Sequence, residues 1–370
     1  MENVKTILIS KKPLPYTKIG SWTSMYNYYL KTKNKLDYII CEDSENKTKD
    51  IIYKNSNKSA IQKIFFKIKK SNPNEHILNI IVSLVEKDTK YIIQFIDDFG
   101  AVTYLSEKLN AKFGKENFYY QFFYHGYAPF YGNFQSRKFY EAIDEMVLLT
   151  KLAYNVHKEY YTILPCKFSI LHNGVDTKLF YKQTIETKQY LRKNEAIPQD
   201  KKIFIWLSQD RPKKGLDFLL NVWKKIEKGT KNNSELWIIG SHRKFNIPGV
   251  KNIGRVPNKE LPKYYQMADV YLFPTLCQDG FGLSLAEALH SGCYPIASKL
   301  GGVPEVLQNG KYGILIENPH FENEWKSAIK KVMNSKIDDF QSNFDSNLYT
   351  LEKWSNQMNE LIEDAKKTLL

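Results

Sequence analysis

The sequence predicts an α/β protein of two Rossmann-like, doubly wound parallel-sheet domains with a C-terminal crossover helix. Three observations carry this. At 370 residues the chain is too long for one ordinary core and suits two domains of roughly 150–200 residues. Apolar runs of strand length alternate with helix-length segments, the pattern of a parallel sheet covered on both faces. The alternation lapses in a polar stretch over residues 182–202 and then restarts, dividing the chain near residues 173–180.

Residues 4–10 (VKTILIS) read as a buried strand, followed by a Lys-, Pro- and Gly-containing loop and a helix over 22–32. Strands are predicted at 36–41 and 91–96, the second running into Asp97-Asp98-Phe99-Gly100. A helix over 101–113 leads to an aromatic strand at 118–124, with His125-Gly126 at its carboxyl end. Strands at 144–149 and 166–171 enclose a helix near 153–160. In the second half, strands are predicted at 203–208, 235–240, 250–253, 270–273, 294–297 and 313–316. Helices are predicted at 216–226, 261–267, 283–291 and 303–308. Residues 351–370 read as an amphipathic helix, with Leu351, Trp354, Met358, Leu361 and Ile362 at 3–4-residue spacing. The domains are therefore expected at 1–175, completed by 351–370, and at 176–350. Ligands of open α/β sheets sit beyond the carboxyl ends of strands, so the cleft between two such domains is the expected site.

A hydrophobic fraction of 42% and a charged fraction of 25% exclude disordered and fibrous classes. The net charge of +14 comes from 54 Lys and Arg against 40 Asp and Glu. Only five are arginines, the residue preferred where phosphate or guanine is gripped in a planar fork. With no Arg-rich, aromatic-interleaved groove, nucleic acid is not an expected partner. The excess is concentrated in residues 1–70 (+9) and 201–231 (+6). Four cysteines without a CxxC pair and seven histidines without ligand spacing predict neither a disulfide framework nor a metal site. The apolar run at 4–9 is broken by Lys5 and does not read as a signal peptide. The longest nearly apolar stretch, 77–85, falls far below the ~20 residues of a membrane span. A cytoplasmic location is expected.

Asp279-Gly280-Phe281-Gly282-Leu283-Ser284-Leu285-Ala286-Glu287 places two carboxylates eight positions apart around a Gly-Phe-Gly turn that opens a helix. Gly280 and Gly282 allow close backbone approach, and the helix N-terminus offers N–H groups to an anion. Two readings stand for the carboxylates: ligands of a bound molecule, or a helix-dipole charge and a solvated helix residue. Ser208-Gln209-Asp210-Arg211-Pro212-Lys213-Lys214-Gly215 is a basic loop directly after a strand. Residues 61–70 (IQKIFFKIKK) set Ile61, Ile64, Phe65 and Ile68 on one helical face beside four lysines. This suits either packing on the sheet or docking on an anionic membrane surface.

Together with Gly292-Cys293-Tyr294-Pro295, Gly301-Gly302-Val303-Pro304-Glu305, Asn252-Ile253-Gly254-Arg255-Val256-Pro257 and residues 268–275, the 279–287 run resembles the signature of family 4 retaining glycosyltransferases of the GT-B fold. The resemblance is dense from 173 to 319 and looser before it. It implies a donor site in the second domain. Glu287 would hold the ribose hydroxyls of a nucleotide sugar, and Asp279, where the family usually has Glu, would lie near the donor sugar. The N–H groups of Gly280, Phe281, Gly282 and Leu283 would face sugar and diphosphate, with Val256 in the same donor run. Lys214 would sit on the diphosphate; Gln209 stands where the family has Arg, and Arg211 or Lys213 would supply that charge. Gly20-Ser21 resembles the family's glycine loop, and His125 a histidine that contacts the donor sugar.

The resemblance thus implies a metal-independent, retaining transfer without cofactor. A hexose or N-acetylhexosamine would move from a nucleotide sugar, UDP-sugar first and GDP-mannose second, to a lipopolysaccharide, capsule or lipid-linked acceptor. The resemblance further implies a front-face mechanism that would be assisted by the leaving phosphate, and residues 61–70 would suit docking on the inner face of a membrane. The alternative is a non-catalytic nucleotide-sugar or glycan-binding protein on the same fold.

Overall fold

The computed structural model describes residues 3–16, 21–44, 46–57, 72–226, 233–335 and 344–370. The chain divides into two units, Met1–Asn173 with Leu351–Leu370, and Gly174–Thr350. The first contains strands β1 (Asn3–Ile9), β2 (Tyr38–Cys41), β3 (Ile52–Asn55), β4 (Thr89–Ile96), β5 (Phe118–Tyr124), β6 (Glu145–Leu148) and β7 (Lys167–Ile170). They pair in the order β3-β2-β1-β4-β5-β6-β7, and every ladder is parallel. Because successive side chains leave a strand on opposite faces, the sheet feeds two cores. Ile7, Ile93, Phe95, Tyr120 and Phe122 enter one, and Leu8, Ile92, Ile96, Tyr119 and Phe123 the other. The helices are α1 (Ser21–Tyr29), α2 (Glu75–Val82), α3 (Phe99–Phe113), α4 (Asn133–Glu141) and α5 (Lys151–Tyr160). The sequence pattern did not announce β3, α2 or α4. β3 lies half-exposed at the sheet edge, and α4 (NFQSRKFYE) carries little apolar periodicity.

The second unit opens with α6 (Ile185–Asn194), followed by β8 (Lys202–Leu207), α7 (Leu216–Lys224), β9 (Ser234–Ile239), β10 (Val250–Gly254), α8 (Leu261–Met267) and β11 (Val270–Phe273). Then come α9 (Leu283–His290), β12 (Tyr294–Ser298), α10 (Val303–Val306), β13 (Ile314–Ile316) and α11 (Glu322–Asn334). The strand order is β10-β9-β8-β11-β12-β13, again parallel throughout. The polar stretch over 182–202, where the alternation lapses and no element was predicted, contains α6. Thr184 caps its start by accepting from the Thr187 N–H at 3.2 Å. Buried Arg192 anchors its end, donating to Asp269 at 2.5 Å and to the Met267 carbonyl at 2.8 Å. An ion pair of this kind leaves no apolar period for sequence reasoning to find.

The last helix, α12 (Leu351–Leu369), belongs to the first unit. Its Leu351, Trp354, Met358, Ile362 and Ala365 enter the same core as Leu8 and Ile92. Trp354 meets Tyr26 and Tyr29 edge-on at 5.3 and 5.8 Å, and the Tyr29 hydroxyl donates to Asn359 at 2.5 Å. Among the described residues, no helix is long and apolar enough to cross a membrane. Residues 61–70 lie outside the described residues.

Candidate functional site

In the second sheet, connectivity reverses direction between β8 and β11. At such a switch point the loops leaving neighbouring strands diverge, and a crevice opens beyond their carboxyl ends. The loop after β8 carries Lys214 in a short turn, Pro212–Lys214. It ends at Gly215, whose φ of 72° favours glycine and whose missing Cβ would stand 1.9 Å from the Pro274 carbonyl oxygen. Only glycine lets the two loops press together there. The Leu276 N–H donates to the Lys213 carbonyl at 2.9 Å, and the Trp206 indole donates to that of Lys214 at 3.2 Å.

This arrangement sets Lys214 Nζ 2.5 Å from Asp279 Oδ2 and 5.7 Å from the centre of the Phe273 ring. The other oxygen, Oδ1, accepts from the N–H groups of Gly282 at 3.0 Å and Phe281 at 3.4 Å. Asp279 therefore serves as the charge at the start of α9 and as the partner of Lys214. Its backbone is also held, because its carbonyl accepts from the Gly302 N–H at 2.8 Å. At Gly301 (φ 62°) a Cβ would lie 2.3 Å from that same oxygen. Gly282, at φ 85°, precedes the first turn of α9, whose leading N–H groups lack intrahelical acceptors. Gly280 and Leu283 flank it, both partly exposed. The Phe281 ring is buried and meets Tyr349 edge-on at 5.2 Å, so this residue offers backbone, not its side chain.

Glu287 lies one turn into α9. Although the residue keeps some exposure, its carboxyl group is enclosed by protein, and that desolvation pushes it up to about 8; the Tyr265 hydroxyl pulls the other way. Tyr265 Oη lies 3.5 Å from Glu287 Oε2 and 3.3 Å from the Ser284 carbonyl, with one proton to share between them. The Tyr271 hydroxyl, 2.9 Å from Ser284 Oγ, completes the layer beneath. Among the described residues no cation pairs with Glu287. The carboxyl group is thus under-satisfied, and bound hydroxyl donors would complete it.

The other residues of the basic loop divide. Asp210 is taken by Arg243 through two hydrogen bonds of 2.7 and 3.0 Å, and Arg243 also reaches Asp217 at 2.7 Å. Arg211 and Lys213 are exposed. Val256 follows β10, at the edge of the sheet beyond β9, and is partly exposed. Gly20 lies outside the described residues, and Ser21 opens α1.

His125 belongs to the first unit, at the carboxyl end of β5. Asp97 holds it twice, accepting from its backbone N–H at 2.8 Å and lying 3.1 Å from Nδ1. The ring stacks on Trp22 at 5.9 Å. Tyr265, Phe273, Arg243 and Trp22 were not legible as site residues. Each touches a recognisable residue through space from a separate element; Phe273 lies within the 268–275 run and Trp22 directly follows Gly20-Ser21, but neither motif marks the side chain as a contact of the site.

Two Rossmann-like parallel-sheet units, each with side chains gathered at its carboxyl edge, define the GT-B class. Residues 187–350 match the glycosyl transferases group 1 family. The D-inositol 3-phosphate glycosyltransferase of Corynebacterium aurimucosum is 25% identical over 192 residues, 48% of this chain and 45% of the relative. The chain spans about half the length of the curated relatives it matches. The solved sucrose-phosphate synthase of Thermosynechococcus elongatus is similar in fold, with a TM-score of 0.71 at 15% identity, over 99% of this chain and 100% of that one. HepE of Anabaena, solved in complex with UDP-glucose, gives 0.66 at 12% identity over 97% and 99%.

Proposed function

We propose that the protein is a retaining, metal-independent glycosyltransferase. It transfers a hexose or N-acetylhexosamine from a nucleotide sugar, a UDP-sugar before GDP-mannose, to a surface-glycan acceptor of lipopolysaccharide, capsule or lipid-linked type. The observation that carries the donor reading is the pairing of Lys214 with Asp279 at the start of α9, the helix that carries Glu287 one turn on, at the β8/β11 switch point. The match of residues 187–350 to the glycosyl transferases group 1 family and a fold shared with a protein solved with UDP-glucose support it.

Each part has a chemical task. Glu287, once ionised, accepts both ribose hydroxyls. Lys214 and the first N–H groups of α9 face the diphosphate, where fixed positive charge lowers the barrier to departure of the nucleoside diphosphate. Lys214 spends one of its three donors on Asp279, which aims the remaining two. With charge supplied by side chain and backbone, no divalent metal is required, and activity persists in EDTA.

The test is a thermal-shift panel of UDP-, GDP- and ADP-sugars on the full chain, followed by NMR of the anomeric product formed with the stabilising donor. One donor class raises Tm, and the anomeric configuration is retained. Stabilisation by none of the panel defeats the donor reading; binding without turnover identifies a glycan- or nucleotide-sugar-binding protein.

A further inference from the structure

A pair of tyrosines is packed against Glu287. Tyr265 on α8 and Tyr271 on β11 are both 0% exposed, with ring centres 5.7 Å apart. Phe180 meets the Tyr265 ring edge-on at 5.9 Å. The ring is held by close packing, and the hydroxyl hydrogen is what can turn. Ser284 and Glu287, three positions apart, share the face of α9 that meets this pair.

A tyrosine hydroxyl has one hydrogen to donate. That of Tyr265 has three acceptors in reach: Glu287 Oε2 at 3.5 Å, the Ser284 carbonyl at 3.3 Å and the Tyr271 hydroxyl. Two of the three are served from elsewhere. The Ser284 carbonyl lies inside α9 and keeps a helical donor four residues on. Tyr271 lies 2.9 Å from Ser284 Oγ and donates to the Leu207 carbonyl at 3.2 Å. Glu287 depends on Tyr265: among the described residues Oε2 has no other donor and Oε1 has none.

The two states of Glu287 make different demands on that hydrogen. A neutral carboxyl carries a hydrogen of its own, whereas a carboxylate only accepts. A hydrogen bond to a charged acceptor is also roughly twice as strong as a neutral one. Burial raises both tyrosines and Cys293, ahead of β12, well above their ordinary ranges, so all three stay neutral. Asp279, ahead of α9, is spent on Lys214. Among the described groups of this layer, ionised Glu287 is the unpaired charge, and Tyr265 is its protein donor.

We infer that Tyr265 is a positioning residue of the donor site: its hydroxyl turns from Ser284 to Glu287 when that carboxylate binds a nucleotide, fixing Oε2 and leaving Oε1 for the ribose. This rests on the donor reading above. The test is Tyr265→Phe, which keeps the ring and removes the hydroxyl, with UDP titrated into the full chain from about pH 6 to about pH 10. Wild-type affinity rises with pH and levels off above about 8, where Glu287 is ionised. Without its donor the carboxylate is harder to form. The Tyr265→Phe curve therefore moves up by about one pH unit, a loss of about ten-fold near neutral pH that narrows in alkali. Glu287→Gln flattens the curve, and Tyr265→Phe added to it moves nothing further. A loss equal at every pH, a loss that persists in Glu287→Gln, or an unmoved curve overturns the proposal.

Urea unfolding over the same range reads Glu287 without a nucleotide. The stability held by its protonated form is lost as pH rises through about 8 in the wild type, and at higher pH in Tyr265→Phe. No UDP binding by the wild type defeats the donor reading and this proposal with it. UDP binding with coincident urea curves defeats this proposal alone.

Discussion

At the scale of single residues, the proposed donor site turns on Glu287. Enclosure raises its carboxyl to about 8 from an ordinary 4.5, so in the folded protein it holds a proton that the unfolded chain releases. The stability this contributes is fully present below about 4.5 and is lost as pH rises through about 8, an effect on the order of a few kcal/mol. Glu287→Gln removes the slope, and urea unfolding across that window measures it. If Glu287 takes the ribose hydroxyls as proposed, it must do so ionised, so nucleotide binding near neutral pH is expected to release close to one proton. Calorimetry in buffers of different ionisation enthalpy reads this release directly, and Glu287→Gln eliminates it. The proposed function sets Lys214 on the leaving group, so Lys214→Ala is expected to lower kcat by roughly 10²–10³-fold, measured with saturating donor. The sequence marked Glu287, Asp279 and Lys214 by their motifs. It did not show that Asp279 and Lys214 bond to each other, because 65 positions separate them. That Phe281 turns its ring into the core was equally hidden, since a Gly-Phe-Gly turn permits either orientation.

At the scale of elements, glycine packing fixes the site and a helix docks the chain end. Alanine at Gly301 would press on the Asp279 carbonyl in a left-handed backbone. Gly301→Ala is expected to cost about 1–3 kcal/mol and to weaken UDP binding by shifting the Asp279 loop, with Tm and a UDP titration as readouts. Trp354 is buried between Tyr26 and Tyr29, and Trp354→Ala should cost about 3–5 kcal/mol. Hydrogen exchange locates the loss, which falls on β1 and β4 while β8 and β11 keep their protection. Strands buried on both faces, such as β4 and β5, were legible because continuous apolar runs have few other homes. α6 was not, since polar pairing to Asp269 and not an apolar stripe holds it.

At the scale of the whole molecule, the surplus of lysine takes on a different meaning. The positive block over 201–231 adjoins Lys214, yet its members point to opposite ends of the second sheet. Lys202, at the start of β8, donates to the Val332 and Met333 carbonyls at 2.7 and 2.8 Å and closes the carboxyl end of α11. Lys225 pairs with Glu322. Among the described residues of that block, Lys214 with exposed Arg211 and Lys213 lies at the switch point. Proximity in sequence overstated the charge at the site because a strand separates its two ends by its own length. The fold class was readable from alternation alone, whereas the site needed a motif to choose among many strand ends. The most direct test of the donor site is calorimetric titration of UDP into the full chain, Lys214→Ala and Glu287→Ala. The wild type binds, and each substitution weakens binding by at least about ten-fold, or 1.4 kcal/mol. Equal affinity in all three would place the nucleotide elsewhere and contradict the account.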